Sequence, residues 1–249
     1  ALAVARGLAR PEEIPELAAF GDGGSRAPVA SLIVRGLVPR TFVDLNRELD
    51  RHGDDLRAAN LTLAIPPYIR PEEDLETLAA LHGAYHEAVA LAYEAVCGRG
   101  GIAIQLHTYA PRSVRIDEIG DDIVTALRAA YAPERYDTWP RRPDVDLITA
   151  TPDDTALAPA LLVAAIRRRF ERTGIVVAEN ATYTLHPGTT GHRHAAKYPG
   201  QVLCLEINRE RLADPFVPFA PMRIGPRKVR RMTTPIVAGI LDVLDPDGR

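Results

Sequence analysis

The stretch Ile102-Ala-Ile-Gln-Leu-His-Thr-Tyr-Ala-Pro111 constrains the fold of this chain most. It follows Gly100-Gly101, runs apolar for several residues and ends in a polar turn, the pattern of a buried parallel strand feeding a loop. His107 falls where that strand should end. In open α/β sheets ligands bind just outside the carboxyl ends of strands, so a histidine there is placed for chemistry. Two other apolar runs discharge into polar residues in the same way: Phe42-Val-Asp-Leu-Asn-Arg-Glu-Leu-Asp50 and Val202-Leu-Cys-Leu-Glu-Ile-Asn-Arg209. Glu206 lies within an apolar strand end, where a carboxylate is expensive to bury unless it is used or paired. Its pairing partners in sequence are Arg47 or Arg209.

Between these runs the chain alternates helical and strand-like segments. The spacing of Leu75, Leu78, Leu81, Tyr85 and Val89 predicts a helix over 71–96, opened by Glu72, Glu73 and Asp74 and stopped by Gly98-Arg-Gly-Gly101. Helices are also expected over 116–131 (Ile119, Ile123 and Leu127 inward), over 156–172 (Leu157, Leu161, Ile166 and Phe170 inward, Arg167-Arg-Arg169 in solvent) and over 234–244. Strands are expected at 2–5, 29–34, 40–45, 144–149, 174–179 and 202–207, a short helix after Pro11, and a long polar loop over 180–200 that could close over the site. In that loop His192 and His194 alternate as in an extended segment. His82 and His86 share a helix face, and position 83 is glycine, so no H-E-x-x-H zinc motif is formed. This rhythm predicts an α/β fold, three layers α/β/α around a mostly parallel or mixed sheet.

The chain has 249 residues, 46% hydrophobic, enough for one substantial core, and residues 1–249 read as a single domain. With a net charge of −3 and pI near 6.2 it has no basic stripe, which argues against nucleic acid as a partner. No apolar run approaches a membrane span, and Ala1 to Arg10 lacks the apolar core of a secretory signal. Two cysteines, Cys97 and Cys204, in helix-like and strand-like segments fit a reducing cytoplasm. Gly21-Asp-Gly-Gly-Ser25 lacks the Lys-Ser/Thr of a phosphate cradle.

Taken as a set, "VDLNR", "LHTY" and "LEINR" resemble the N-formylglutamate amidohydrolase family, and more distantly the zinc carboxypeptidases and aspartoacylases. The resembling blocks span roughly residues 38–212. The resemblance implies a zinc-exopeptidase-like fold and a metal-dependent hydrolase of a small N-acyl, N-formyl-type amino acid. His107 would ligate one zinc ion. Glu206 would activate the metal-bound water as general base. Asn46 and Arg47 would hold the carboxylate of a small-molecule substrate through the guanidinium fork. Arg112 is a second anion-binding candidate, and His192, in a segment resembling the family's glycine-rich stretch, a substrate-facing one. The family's first metal motif has no counterpart: Val4-Ala-Arg-Gly-Leu-Ala-Arg-Pro-Glu-Glu13 contains no histidine, and the first in the chain is His52. Glu12, Glu13, His192 and His194 are the remaining ligand candidates. A carboxypeptidase-like peptidase, and a binding protein that has lost the metal, are the alternatives.

Overall fold

The computed structural model describes residues 31–49, 56, 61–116, 120–171 and 173–244. The expectations for residues 2–5 and 11–17, and for Glu12 and Glu13, lie outside them. The described elements are α1 (Glu72–Val96), β1 (Ala103–Tyr109), α2 (Ile123–Ala130), α3 (Pro133–Tyr136), β2 (Val145–Ile148), α4 (Ala160–Phe170), β3 (Val177–Glu179), α5 (Thr190–Lys197), β4 (Val202–Asn208) and α6 (Pro226–Leu244). The strands form one mixed sheet in the order β1-β4-β2-β3. β1 runs parallel to β4, β2 parallel to β3, and β2 antiparallel to β4. The architecture is the α/β class expected.

The period-2 alternation of the strands sorts residues onto two faces. One face carries Val145, Leu147, Leu203, Leu205 and Ile207, which pack with Leu162, Ile166 and Phe170 of α4 and Met232 and Ile236 of α6. The opposite face carries Ile148, Val202 and Cys204, packed with Val89 and Tyr93 of α1 and Ala195 and Tyr198 near α5. Helices on both faces give the three layers. α4 and α6 approach so closely that a Cβ at Gly239 would lie 2.8 Å from Ile166 Cγ1 and 3.0 Å from its backbone Cα and N. Gly239→Ala is therefore expected to destabilise the fold by about 1–3 kcal/mol, because backbone cannot yield as a side-chain tip can. Chemical denaturation checks this, with an unchanged midpoint as the contrary result.

Several elements differ from the sequence reading for identifiable reasons. Residues 31–34 and 40–45 form no strand; Phe42 N–H instead closes a turn onto Pro39 O at 2.9 Å. α2 starts only at Ile123, and α4 at Ala160 after Pro159. Leu161 is 77% exposed, the inward stripe being Leu162, Val163, Ala165, Ile166 and Phe170. β3 is a three-residue edge strand rather than a buried one, and Val176 before it is exposed. α6 begins eight residues earlier than expected, at Pro226. The buried stripe of α1 is Leu78, His82, His86, Val89 and Tyr93, while Leu81 faces solvent. Residues 190–197 are helical, not loop: Thr189 caps α5 by accepting the His192 N–H. Two residues apart on a helix, His192 and His194 do not share a side as an extended segment would require.

Candidate active site

His107, Glu206 and Asp146 stand in one row across the sheet. The register pairs His107 with Glu206 between β1 and β4, and Glu206 with Asp146 between β4 and β2. Cross-strand partners point to the same face, here the face shared with α1 and α5. His107 is the fifth of seven residues in β1, inside the strand rather than at its end. Its Nδ1 lies 3.8 Å from Glu206 Oε1.

The row is electrostatically unusual. Glu206 has only 14% of its side chain exposed, and Oε2 has no hydrogen-bond partner among the described residues. Burial pushes its carboxyl up to about 7; the guanidinium groups of Arg142, Arg40 and Arg209 oppose that rise, and Asp146 adds to it. Neither sequence partner pairs with it: Arg209 turns to Thr108, and Arg47 to Asp44. Burial also lowers His107 to about 4, where Asp44 favours the proton and Arg40 and Arg47 disfavour it. At neutral pH the imidazole is uncharged and the carboxyl is poised between its two forms. Asp146 is fully buried, and its two oxygens accept the N–H groups of Ala181 (3.1 Å) and Thr182 (2.7 Å).

Asp44, Asn46 and Arg47 form a turn within electrostatic reach of this row, since Glu206 acts on Arg47, and Asp44 and Arg47 act on His107. Arg47 is 5% exposed. Its Nε donates to Thr62 O at 3.2 Å and Nη1 to Asn46 O at 2.8 Å, while Nη2 is 3.6 Å from Asp44 Oδ2. Asn46 Oδ1 is buried without a hydrogen-bond partner among the described residues.

The other named residues sit elsewhere. Arg112 bridges to Arg141 and donates to Asp137 and Trp139, and it lines a cavity of about 310 Å³ with Tyr136 and Phe216. His192 lies in the first turn of α5, half-buried. His194 is 4% exposed and stacks on Tyr93 with ring centroids 3.9 Å apart.

Sequence reasoning missed two residues of the row's surroundings. Asp146 carried the same signal as Glu206, a carboxylate inside an apolar strand. Arg142 carried little signal beyond its place just ahead of β2. It donates to Ser113 Oγ and Tyr183 OH at 3.0 and 3.1 Å, and lies over the rings of Tyr109 and Tyr183.

A catalytic zinc takes three protein ligands and leaves one position open. Among the described residues no group of three His, Cys, Asp or Glu side chains is suitably gathered. His107 and Glu206 face each other, but both Asp146 oxygens hold backbone N–H groups and Asp44 is paired with Arg40 at 2.7 Å. The guanidinium groups that lower His107 would also oppose a divalent cation. The described donor set does not fit a complete zinc site.

Comparison with known proteins bears on these features. The N-formylglutamate amidohydrolase family model matches residues 12–213. Among solved structures, the N-formylglutamate amidohydrolase from Ralstonia eutropha JMP134 is similar with a TM-score of 0.54 at 19% identity, covering 84% of this chain and 73% of that one. At that identity the likeness concerns the fold alone. Gene product Atu2144 from Agrobacterium tumefaciens matches with a TM-score of 0.40 at 13% identity, over 72% of this chain and 56% of that one. No curated protein sequence matches significantly. Among the described residues no helix is long and apolar enough to cross a membrane. With the family model spanning β1, β2, β4 and the 44–47 turn, the chain belongs to the N-formylglutamate amidohydrolase family.

Proposed function

We propose that this chain hydrolyses the amide bond of a small N-acyl amino acid of the N-formyl type, with Glu206 as general base. The observation that carries the reading is the state of Glu206: largely buried, without a hydrogen-bond partner at Oε2 among the described residues, and raised to about 7. A carboxylate in that state is basic enough to take a proton from water near neutral pH. Glu206 would accept the proton as water attacks the acyl carbon, then return it to the departing amine. His107, uncharged and facing Oε1, would orient the water. Arg142, the foremost cation acting on Glu206, would favour charge building on the acyl oxygen. Arg47 would hold the substrate carboxylate through Nη2, which is held only at 3.6 Å by Asp44 Oδ2, beside Asn46. No step is assigned to zinc. A metal would need ligands beyond the described residues.

The base works ionised, so kcat/KM for an N-formyl amino acid should rise with pH through an apparent pKa near 7 and level off above it. His107, near 4, stays neutral throughout. A profile flat from pH 5 to 9 would remove Glu206 from this role. A second reading, a binding protein of the same fold, draws on the incomplete ligand set; it requires substrate binding without turnover at any pH.

A further inference from the structure

We propose that His82 and His86 are positioning residues of the site: from α1 they hold the Leu45 and Arg47 carbonyls, fixing the turn that aims the Arg47 guanidinium. This rests on the reading of Arg47 as the carboxylate-binding group. His82 Nε2 lies 2.7 Å from Arg47 O, and His86 Nε2 lies 3.1 Å from Leu45 O. One helical turn apart, the two rings stack with centroids 3.9 Å apart. They reach alternate carbonyls of the same turn.

The proton positions follow from the partners. A carbonyl only accepts, so His82 Nε2 carries the hydrogen. A guanidinium only donates, and Arg193 is hydrogen-bonded to His86 Nδ1. His86 Nδ1 is therefore the acceptor and Nε2 the donor to Leu45. The ring must be uncharged, in agreement with its being lowered to about 4 by burial, His82 and Arg193. Leu45 O also accepts Thr190 Oγ1–H at 3.0 Å, so both its lone pairs are used. Arg193 Nη1 binds Glu48 at 3.0 Å, and Glu48 N–H donates to Gly188 O at 3.2 Å. The backbone at 45, 47 and 48 is thus tied to α1 or to the segment leading into α5. Buried carbonyls require donors, and an apolar residue at 82 or 86 would leave the turn free to shift. Both histidines bond to the 45–47 backbone, so they act through Arg47.

The test compares His82→Ala, His86→Ala, the donor-retaining His86→Gln, and Thr190→Val, which removes one of two donors to Leu45 with little change in volume. Two readouts are taken on the full chain: steady-state kinetics with an N-formyl amino acid, and amide hydrogen exchange without substrate. The alanine variants should raise KM about 5- to 20-fold with kcat within about threefold. The Asn46, Arg47 and Glu48 amides should exchange at least about tenfold faster while β2 and β4 amides stay protected. His86→Gln should restore most of both. Should the alanine variants not fold, Thr190→Val must still loosen the turn. Unchanged exchange at 46–48 overturns the clamp whether or not the protein is active. A loosened turn with unchanged KM overturns the positioning role, provided Arg47→Ala itself raises KM. If Arg47→Ala leaves KM unchanged, the reading of Arg47 has failed instead, and exchange alone decides the clamp.

Discussion

Glu206→Gln should lower turnover by two or more orders of magnitude while making the folded protein more stable above pH 7. The first effect follows from the role of general base: glutamine keeps the shape but cannot take a proton from water, a loss of roughly 10²–10⁴-fold. Substrate affinity should stay within a few-fold. The second follows from the raised carboxyl. Its value in the folded protein, about 7 against an ordinary 4.5, means that the folded state holds the proton more tightly than the unfolded chain. That contribution is full below about 4.5, is lost as pH rises through about 7, and leaves a penalty above it. At about 1.4 kcal/mol per unit the penalty reaches roughly 3 kcal/mol, and glutamine removes it. Thermal midpoints of the two proteins should therefore coincide near pH 4, diverge as pH rises from about 4.5 to about 7, and stay apart above that, with the variant higher. A structural ion-pair role for Glu206 predicts the opposite order, a variant less stable at neutral pH with near-normal turnover.

Arg47→Ala should weaken binding and fold together. Loss of a charge-assisted contact to the substrate carboxylate is worth about 1.5–3 kcal/mol, an increase in KM of roughly 10- to 100-fold. kcat should change less if the carboxylate is held equally in ground and transition states. The variant should also lose its preference for an acid over the corresponding carboxamide, and a retained preference would refute the assignment. The stability cost arises because Asp44, 5% exposed, is left with Arg40 as its cation among the described residues. Arg40 is largely exposed and close to Asp44 at 2.7 Å, so the cost should fall below the 3–5 kcal/mol typical of a buried charge stripped of its partner.

The strands that build the site were readable because buried strands have a short-range signature. β1 and β4 appear as apolar runs after glycine, and Glu206 stands out as a charge among Leu205 and Ile207. What could not be read depends on contacts distant in sequence. The leucine spacing of α1 points to one face, whereas the buried stripe contains His82 and His86, whose partners lie 35 and 41 residues upstream. α5 was hidden because Thr-Gly-His-Arg-His-Ala-Ala-Lys is polar and holds a glycine, normally a sign of a loop. Gly191 is there for close approach: a Cβ would lie 2.7 Å from Cys204 Sγ and 3.1 Å from Gln105 Oε1. Residues 31–34 and 40–45 have strand composition, but a strand needs a neighbour to bond, and Val43 is buried beside a turn instead. The partnership of His107 with Glu206 and Asp146 required the sheet order, which no local pattern encodes.

The most direct measurement is formate release from a panel of N-formyl amino acids by the purified chain, followed by proton NMR beside Glu206→Gln, with and without added zinc and chelator. Formate and free amino acid should appear in equal amounts from the natural chain at pH 8, and release should be slower by at least about a hundredfold from the variant. Release by both proteins at similar rates, or none by a folded natural chain that binds the substrates, would contradict it.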